Sequence, residues 1–225
     1  MDSSPYKVII AGAGLGGLAA AGCLIKAGFD VEIYEQAKTL GEIGAGIQQS
    51  ANAMHVMRHL GIEEELRSVA FEPPTTQFRL YSSGEVLQEL SLAERHEERH
   101  GAPYLQMHRA DFHNILARCV TGLNLDAIHL GSAAVGFEES ANGVVLLLAD
   151  GRRIEGDVLI GADGIKSALR RQIAGEDNPQ YTGDSAWRVT VPADRLPDGF
   201  MGGTSSIWVG PNKHAVVYFL GAGVS

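Results

Sequence analysis

The chain has 225 residues, 45% of them hydrophobic, enough to bury one large core or two small ones. Its 18 basic and 27 acidic residues give a net charge of −9, and no basic run offsets it. That excludes nucleic acid as the main partner but not an anionic ligand held by a local arginine.

In chain order, Lys7 to Ala11 reads as a strand, and Gly12-Ala13-Gly14-Leu15-Gly16-Gly17 follows as a glycine turn. Leu15, Leu18, Ala19 and Gly22 then recur at helical spacing until Gly28. Val31 to Tyr34 is a second strand, closed by Glu35 and Gln36. This is the order a dinucleotide site requires. Gly12 allows the tight turn, Gly14 lets the backbone approach a pyrophosphate, and Gly17 lets the helix pack closely on the strand. The helix N-terminus, from Leu15, turns free N–H groups and partial positive charge toward the phosphates. Glu35 stands 23 residues after Gly12 and is placed to accept hydrogen bonds from a ribose.

Two competing readings fail. Val8 to Ile25 carries no charge over 18 residues, near the length of a spanning helix, but five of them are glycine. The start, Met1-Asp2-Ser3-Ser4-Pro5, has no basic region and no cleavage site of a secretory signal. No membrane partner is expected, and a cytoplasmic location is.

Gly41 to Ile47 reads as a glycine-rich loop. A helix started by Ser50 or Asn52 follows, with Met54, Met57 and Leu60 inward and Gly61 as its stop. Phe78 to Tyr81 and Glu85 to Leu87 form a hairpin around Ser82-Ser83-Gly84. Residues 93–103 are charged and loop-like. Between 109 and 120, Phe112, Ile115, Leu116, Cys119 and Val120 mark one face of a helix. Strands are expected near 124–130, 133–138 and 144–149, with Asp150-Gly151 as a turn. Asp157 to Ala162 is apolar without a break from Val158 on, hence a buried strand. Strand signals return at 187–191, 205–209 and 214–220, the last two joined by Gly210-Pro211-Asn212-Lys213.

Cys23 and Cys119 each sit in a helical pattern and read as small buried residues of a reducing compartment. The eight histidines show no ligand spacing beyond His96 and His100, which flank Glu97-Glu98-Arg99 on a solvated face. No metal is expected.

A second motif, Gly161-Ala162-Asp163-Gly164-Ile165-Lys166-Ser167-Ala168-Leu169-Arg170, puts a carboxylate at the end of a strand, where open α/β sheets bind ligands. Gly164 lets the backbone turn away from it. Taken alone, it is also an ordinary strand-to-helix turn capped by Ser167.

With these motifs, the chain resembles the FAD-dependent aromatic hydroxylases, flavoprotein monooxygenases of the salicylate, 6-hydroxynicotinate and para-hydroxybenzoate hydroxylase type. Three blocks carry the resemblance: Gly12 to Glu35; Gly161 to Arg170; and Gly44-Ala45-Gly46-Ile47 with His108-Arg109-Ala110-Asp111. The resemblance implies an α/β fold, with a Rossmann-like FAD-binding domain of the GR2, para-hydroxybenzoate hydroxylase-like type interleaved with a mainly β substrate domain. The FAD-binding domain is expected over 1–70 and 104–180, and the substrate domain over 71–103 and 181–225. The cofactor is FAD, with NADH or NADPH as co-substrate; the expected contacts are Gly12, Gly14, Leu15, Gly17, Glu35, Gln36, Gln48, Arg109, Asp163 and Gly164. The implied reaction is hydroxylation of a small phenolic or heteroaromatic acid by O₂ through a flavin hydroperoxide.

On the substrate side, Ile207 to Tyr218 resembles the family's substrate-domain hairpin. His214 and Tyr218, four apart on a strand, share a face and are the catalytic candidates, as base or donor to a phenol. Arg188 can pair a substrate carboxylate or a structural acid. Trp187 and Trp208 can wall an aromatic pocket or fill a core.

Two departures stand out. Some hydroxylases of heteroaromatic acids have a histidine base after the Gly-Ala-Gly-Ile loop; here Gln48 stands there and cannot take a proton at neutral pH. The family also has a later Gly-Asp motif for the flavin side of FAD, and nothing after Asp163 matches it. The chain therefore reads as C-terminally shortened, with its last apolar strand short of neighbours. Such an edge favours aggregation or pairing with another chain, a homodimer being one form of that pairing. The alternative function is a non-catalytic flavin-fold fragment acting as a binding module. An NAD-dependent dehydrogenase accounts for Glu35 but not for Asp163 or Arg109.

Overall fold

The computed structural model describes residues 5–41, 46–141, 143–176 and 179–221. The chain divides into two compact units, Met1–Glu42 with His113–Ala186, and Ile43–Phe112 with Trp187–Ser225.

The first unit is built on a parallel sheet. Strand β1 (Lys7–Ala11) leads through α1 (Leu15–Lys26) to β2 (Asp30–Tyr34), which pairs parallel with β1. Such a pairing needs a crossover, and α1 supplies it, lying against both strands. Val8, Ile9, Ile10 and Ala11 are all buried, as expected of a central strand covered on both faces. Ile9 and Ala11 pack with Tyr34, Leu146, Leu148 and Leu169, so alternation turns Val8 and Ile10 to the other face.

The opposing layer is an antiparallel sheet. It contains β8 (Ala134–Ser140), β9 (Gly143–Leu148) and β10 (Arg153–Gly156), with β9 in the middle. The short strand β7 (Ile128–His129) extends the parallel sheet beyond β2, so only two of the residues expected as strand at 124–130 pair. The strand β11 (Val158–Gly161) joins β1 on the other side, and α6 (Ala168–Ala174) follows it.

The apolar run at 157–162 is therefore a strand, but not a buried one. β11 ends the sheet among the described residues, and Val158 is 46% exposed. A cavity of about 620 Å³ runs beside it, lined by Val144, Val158, Leu159, Leu169 and Ile173. Cys23 and Cys119 are only half-buried, less enclosed than expected.

The second unit carries the sheet β13-β12-β4-β5. The hairpin expected at 78–87 is β4 (Thr75–Leu80) with β5 (Val86–Ser91). β12 (Ser205–Gly210) and β13 (Lys213–Val217) form the other, turning at Asn212, whose φ is +57°. A two-stranded ribbon, β3 (Gly46–Gln49) with β6 (Leu105–His108), lies in the same unit. Gly46 and Ile47, expected as loop, thus pair in a strand, while Gly44 and Ala45 lie outside the described residues. Residues 46–70 and 104–112, expected with the cofactor domain, cluster here.

Helix α2 (Ala51–Leu60) follows the expected pattern. Met54, Met57 and Leu60 are buried, and Gly61 closes it at φ +85°. Two helices, α3 (Glu63–Val69) and α4 (Ala93–His100), were not legible as such. α4 occupies the charged stretch expected as loop because long-range bonds hold it. Arg67 pairs with Glu97 at 2.7 Å, His55 Nε2 meets the His100 carbonyl at 2.8 Å, and Arg58 donates to the Gly101 carbonyl at 2.6 Å.

The strand expected at 187–191 does not form. Trp187 is 97% and Val189 84% exposed, and β-branched residues favour strands only where they pack on a half-buried surface. Helix α5 (Arg109–Leu123) matches its apolar stripe, with Phe112, Ile115, Leu116 and Val120 buried. No helix among the described residues is long and apolar enough to cross a membrane.

Candidate cofactor site

Three parallel strands end at one edge of the first unit. Gly12 N–H donates to the Tyr34 carbonyl at 2.8 Å, and Ala162 N–H donates to the Ala11 carbonyl at 2.8 Å. The glycine turn and the Asp163 turn are thereby neighbours, at the carboxyl ends where open α/β sheets bind ligands.

Each glycine of the turn has its own reason. Gly12 holds φ at +105°, and a Cβ there would run into the Ala162 carbonyl oxygen. Gly17, in the first turns of α1, would drive a Cβ into the Gly12 carbonyl oxygen. Gly14 is different: its φ is −71°, and a Cβ would meet nothing within 4 Å. The fold does not require glycine there, but a backbone approached by a ligand does. Gly16 is equally open.

Gly14 is also the N-cap of α1. It brings no capping side chain, and the first turn holds no acidic residue. The N–H groups that begin a helix have no intrahelical partners, so Leu15 and its neighbours present donors and partial positive charge with no acidic side chain in the first turn to meet them. This cradle, open at Gly14 and Gly16, fits a diphosphate.

Glu35 closes it from β2. One carboxylate oxygen accepts from Ala13 N–H at 2.7 Å, the other from Ala37 N–H at 2.8 Å. A carboxylate has about four acceptor positions, so two remain for a ribose. Gln36 beside it is exposed.

Beneath the turn, Tyr34 stacks on His129 at 4.7 Å and donates to Glu32 at 2.6 Å. Burial, then that hydrogen bond to Glu32, pushes the Tyr34 phenol up. Burial alone would raise Glu32, but the hydrogen bonds from Tyr34 and Lys7 outweigh it and hold its carboxyl low.

Asp163 is occupied locally. Its carboxylate accepts from Ser167 Oγ at 2.5 Å and from Leu169 N–H at 3.2 Å, while Ser167 caps α6 by accepting from Arg170 N–H at 2.8 Å. Arg170 Nη2 donates to the Ile165 carbonyl at 2.7 Å. The capped-turn reading thus describes the carboxylate's bonds. Gly164, at φ +77°, carries the chain past it.

Gln48, Arg109, His214 and Tyr218 belong to the second unit. Arg109, half-buried, opens α5 directly after β6. Gln48 lies on β3, where its carbonyl oxygen accepts from Tyr104 Oη at 2.9 Å. The Tyr218 ring lies on Gly46: a Cβ there would come within 2.5 Å of Tyr218 Cε2 and 2.7 Å of its Oη. Burial, first, pushes both the Tyr104 and Tyr218 phenols up, and Tyr218 adds to the shift of Tyr104. The charge of Arg188 pulls Tyr218 the other way, so Arg188 stands near it.

His214 does not join this group. It sits exposed beside the β12–β13 turn, opposite Val209, whereas Tyr218 lies one residue past the end of β13. Four residues of extended chain separate them by roughly 13 Å, so the expected shared face brings them to no common point. Trp187 walls nothing, and Trp208 receives Arg79 over its ring at 5.7 Å. Sequence reasoning passed over Tyr104, whose contacts come from segments far apart in the chain. It also passed over His113, a buried residue next to the apolar stripe of α5.

The sequence profile of the FAD binding domain family matches residues 5–219. The chain belongs to that family. This FAD-binding domain is 35% identical over 221 residues to a 6-hydroxynicotinate 3-monooxygenase of Pseudomonas fluorescens, covering 98% of the chain and 56% of that relative. It is 36% identical over 217 residues to a 3-hydroxybenzoate 6-hydroxylase of Aquipseudomonas alcaligenes, covering 96% and 55%. Among solved structures it is similar to a salicylate hydroxylase substrate complex, with a TM-score of 0.78 and 27% identity over 97% of this chain and 54% of that one. It is also similar to Klebsiella pneumoniae HpxO complexed with FAD and uric acid, with a TM-score of 0.75, 28% identity and coverage of 97% and 54%. The FAD-binding domain thus has the mixed α/β fold expected of para-hydroxybenzoate hydroxylase-like proteins, and it spans about half the length of the curated relatives it matches.

Proposed function

We propose that the chain is the FAD-holding part of an NADH- or NADPH-consuming monooxygenase that hydroxylates a small aromatic acid. The observation that carries this reading is the open cradle at Gly14 and Gly16, uncapped and free of acid, beside a carboxylate at the end of β2. The relatives' names supply the reaction class.

FAD, when bound, supplies the redox chemistry, taking electrons from the nicotinamide and activating O₂. The chain's own residues bind and orient. Gly14, Leu15 and Gly16 N–H groups receive the diphosphate, and Glu35 takes the ribose hydroxyls. Gln36, Asp163 and Gly164 border the cofactor. In the second unit, Gln48 and Arg109 serve the cofactor, and Tyr218 with Tyr104 faces the aromatic substrate. Arg188 offers a partner for its carboxylate. A phenol pushed up by burial stays protonated at neutral pH, so Tyr218 acts as a hydrogen-bond donor and not as a base. His214, remote from this group, is proposed for no proton transfer. The protein is proposed to be cytoplasmic, with a homodimer as its assembly.

The test is oxygen uptake by the chain with FAD, NADH or NADPH and a panel of hydroxybenzoates and hydroxypyridine carboxylates, scoring product and peroxide separately. FAD binding with substrate-dependent oxygen uptake supports the reading. Failure to bind FAD sinks the reading, and FAD binding without any oxygen uptake leaves this chain by itself a flavin-binding module.

A further inference from the structure

His113 is a buried imidazole that none of the proposed chemistry uses. It stands on α5, 3% exposed, with the apolar Phe112, Ile115 and Leu116 around it in sequence. Its Nε2 lies 2.8 Å from the carbonyl oxygen of Ala13, the middle residue of the Gly12-Ala13-Gly14 turn. A carbonyl only accepts, so Nε2 carries the proton. The other ring nitrogen, Nδ1, is buried with no hydrogen-bond partner among the described residues.

Ala13 is therefore gripped on both sides. Its N–H goes to Glu35 from β2, and its C=O goes to His113 from α5. The peptide that joins Ala13 to Gly14 is planar and trans, so its C=O and N–H point in opposite directions. Fixing the Ala13 carbonyl toward His113 turns the Gly14 N–H away from the protein interior, on the residue whose Cα faces open space.

We propose that His113 is a positioning residue for the cofactor: it sets the Ala13–Gly14 peptide so that the Gly14 N–H meets the diphosphate of FAD. This rests on the reading of the glycine turn as the FAD site. His113 itself touches no phosphate. What the contact requires is a proton on Nε2, the nitrogen that faces the carbonyl. An apolar residue would fill the same space but leave the peptide free to rotate; a side chain with a donor at the same reach would not.

The experiment compares the chain with His113→Leu and His113→Gln, whose amide can place an N–H near the Nε2 position. FAD and ADP affinities are read by fluorescence and calorimetric titration, with thermal melting of the cofactor-free proteins alongside. His113→Leu is expected to weaken both ligands roughly tenfold, as for loss of a preorganising hydrogen bond. His113→Gln should recover most of that, with both variants melting close to the parent. Equal affinity in folded His113→Leu overturns the proposal, as does failure of His113→Gln to recover binding. Should His113→Leu not fold, long-range ¹H–¹⁵N spectra of the parent's histidine rings decide. A proton on Nε2 is required, and a ring that carries its proton on Nδ1 alone overturns the proposal. If the parent binds neither FAD nor ADP, the cofactor reading itself has failed, which is a different result.

Discussion

The two units differ in how their candidate sites are made. In the first, one continuous stretch from β1 to Glu35 supplies the strand end, the turn, the helix start and the acid. Its geometry follows from glycines at fixed offsets. In the second, Gly46, Gln48, Tyr104, Arg188 and Tyr218 come from segments up to 172 residues apart and meet only through the ribbon of β3 and β6 and the end of β13. The first kind of site is written in spacing; the second is written in packing.

The sharpest way to break that contrast is to separate folding from binding within the turn. Gly12→Ala places a side chain at φ +105° and against the Ala162 carbonyl. It should destabilise the first unit by about 3 kcal/mol or more, read as a lowered midpoint in urea. A Gly12→Ala protein as stable as the parent would show that the turn is not packed as described.

Gly14→Val is the counterpart. Its φ and its open surroundings accept a side chain, so melting should stay within a few degrees of the parent, roughly a 1 kcal/mol effect at most. FAD affinity should fall by about a hundredfold or more, because the side chain fills the space the diphosphate needs. Unchanged FAD binding in folded Gly14→Val would contradict the cradle.

Glu35→Ala is next in size. It removes acceptors from Ala13 and Ala37 N–H as well as from a ribose. About 1.5–3 kcal/mol of FAD affinity should go, roughly ten- to a hundredfold. A titration with no change would place the ribose elsewhere.

The smallest effect belongs to the second unit and to pH. Glu63 is 8% exposed. It lies 2.5 Å from Arg58 and 3.2 Å from Arg67. The Arg58 hydrogen bond, against the opposing cost of burial, holds the Glu63 carboxyl below the usual range, and Arg67 adds to it. A carboxyl held low in the folded state stabilises above its unfolded value, about 4.3, and loses that stabilisation as pH falls through the folded value. Acid melting of Glu63→Gln should be flatter below about pH 4 than that of the parent, with a melting point about 2–4 °C lower at neutral pH. Parallel acid profiles would show that Glu63 is not coupled to folding.

These differences also explain what was legible. The β1–α1–β2 unit and its terminal acid were readable because the glycine offsets are local. So was α2, where Met54, Met57 and Leu60 repeat at helical spacing and Gly61 stops them. The hairpin at Ser82-Ser83-Gly84 was readable for the same reason. By contrast, α4 is polar throughout, and its helicity depends on Arg67, His55 and Arg58 reaching it from elsewhere. The apolar run of β11 did not reveal that its outer edge carries no strand among the described residues. Trp187 to Val191 had strand composition, but it packs on little, Trp187 being 97% and Val189 84% exposed. His214 and Tyr218 looked like one site because alternation gives a face but not a distance along it. Tyr104 and His113 carry no motif, and their contacts lie 56 and 100 residues distant in sequence.

The central claim is that the open glycine turn of the first unit holds the FAD diphosphate. Titration of FAD into the parent chain and into Gly14→Val, followed by flavin fluorescence at equal protein folding, tests it most directly. The account predicts saturable binding to the parent and none to Gly14→Val over the same concentration range. Saturable binding of similar affinity to both would contradict it.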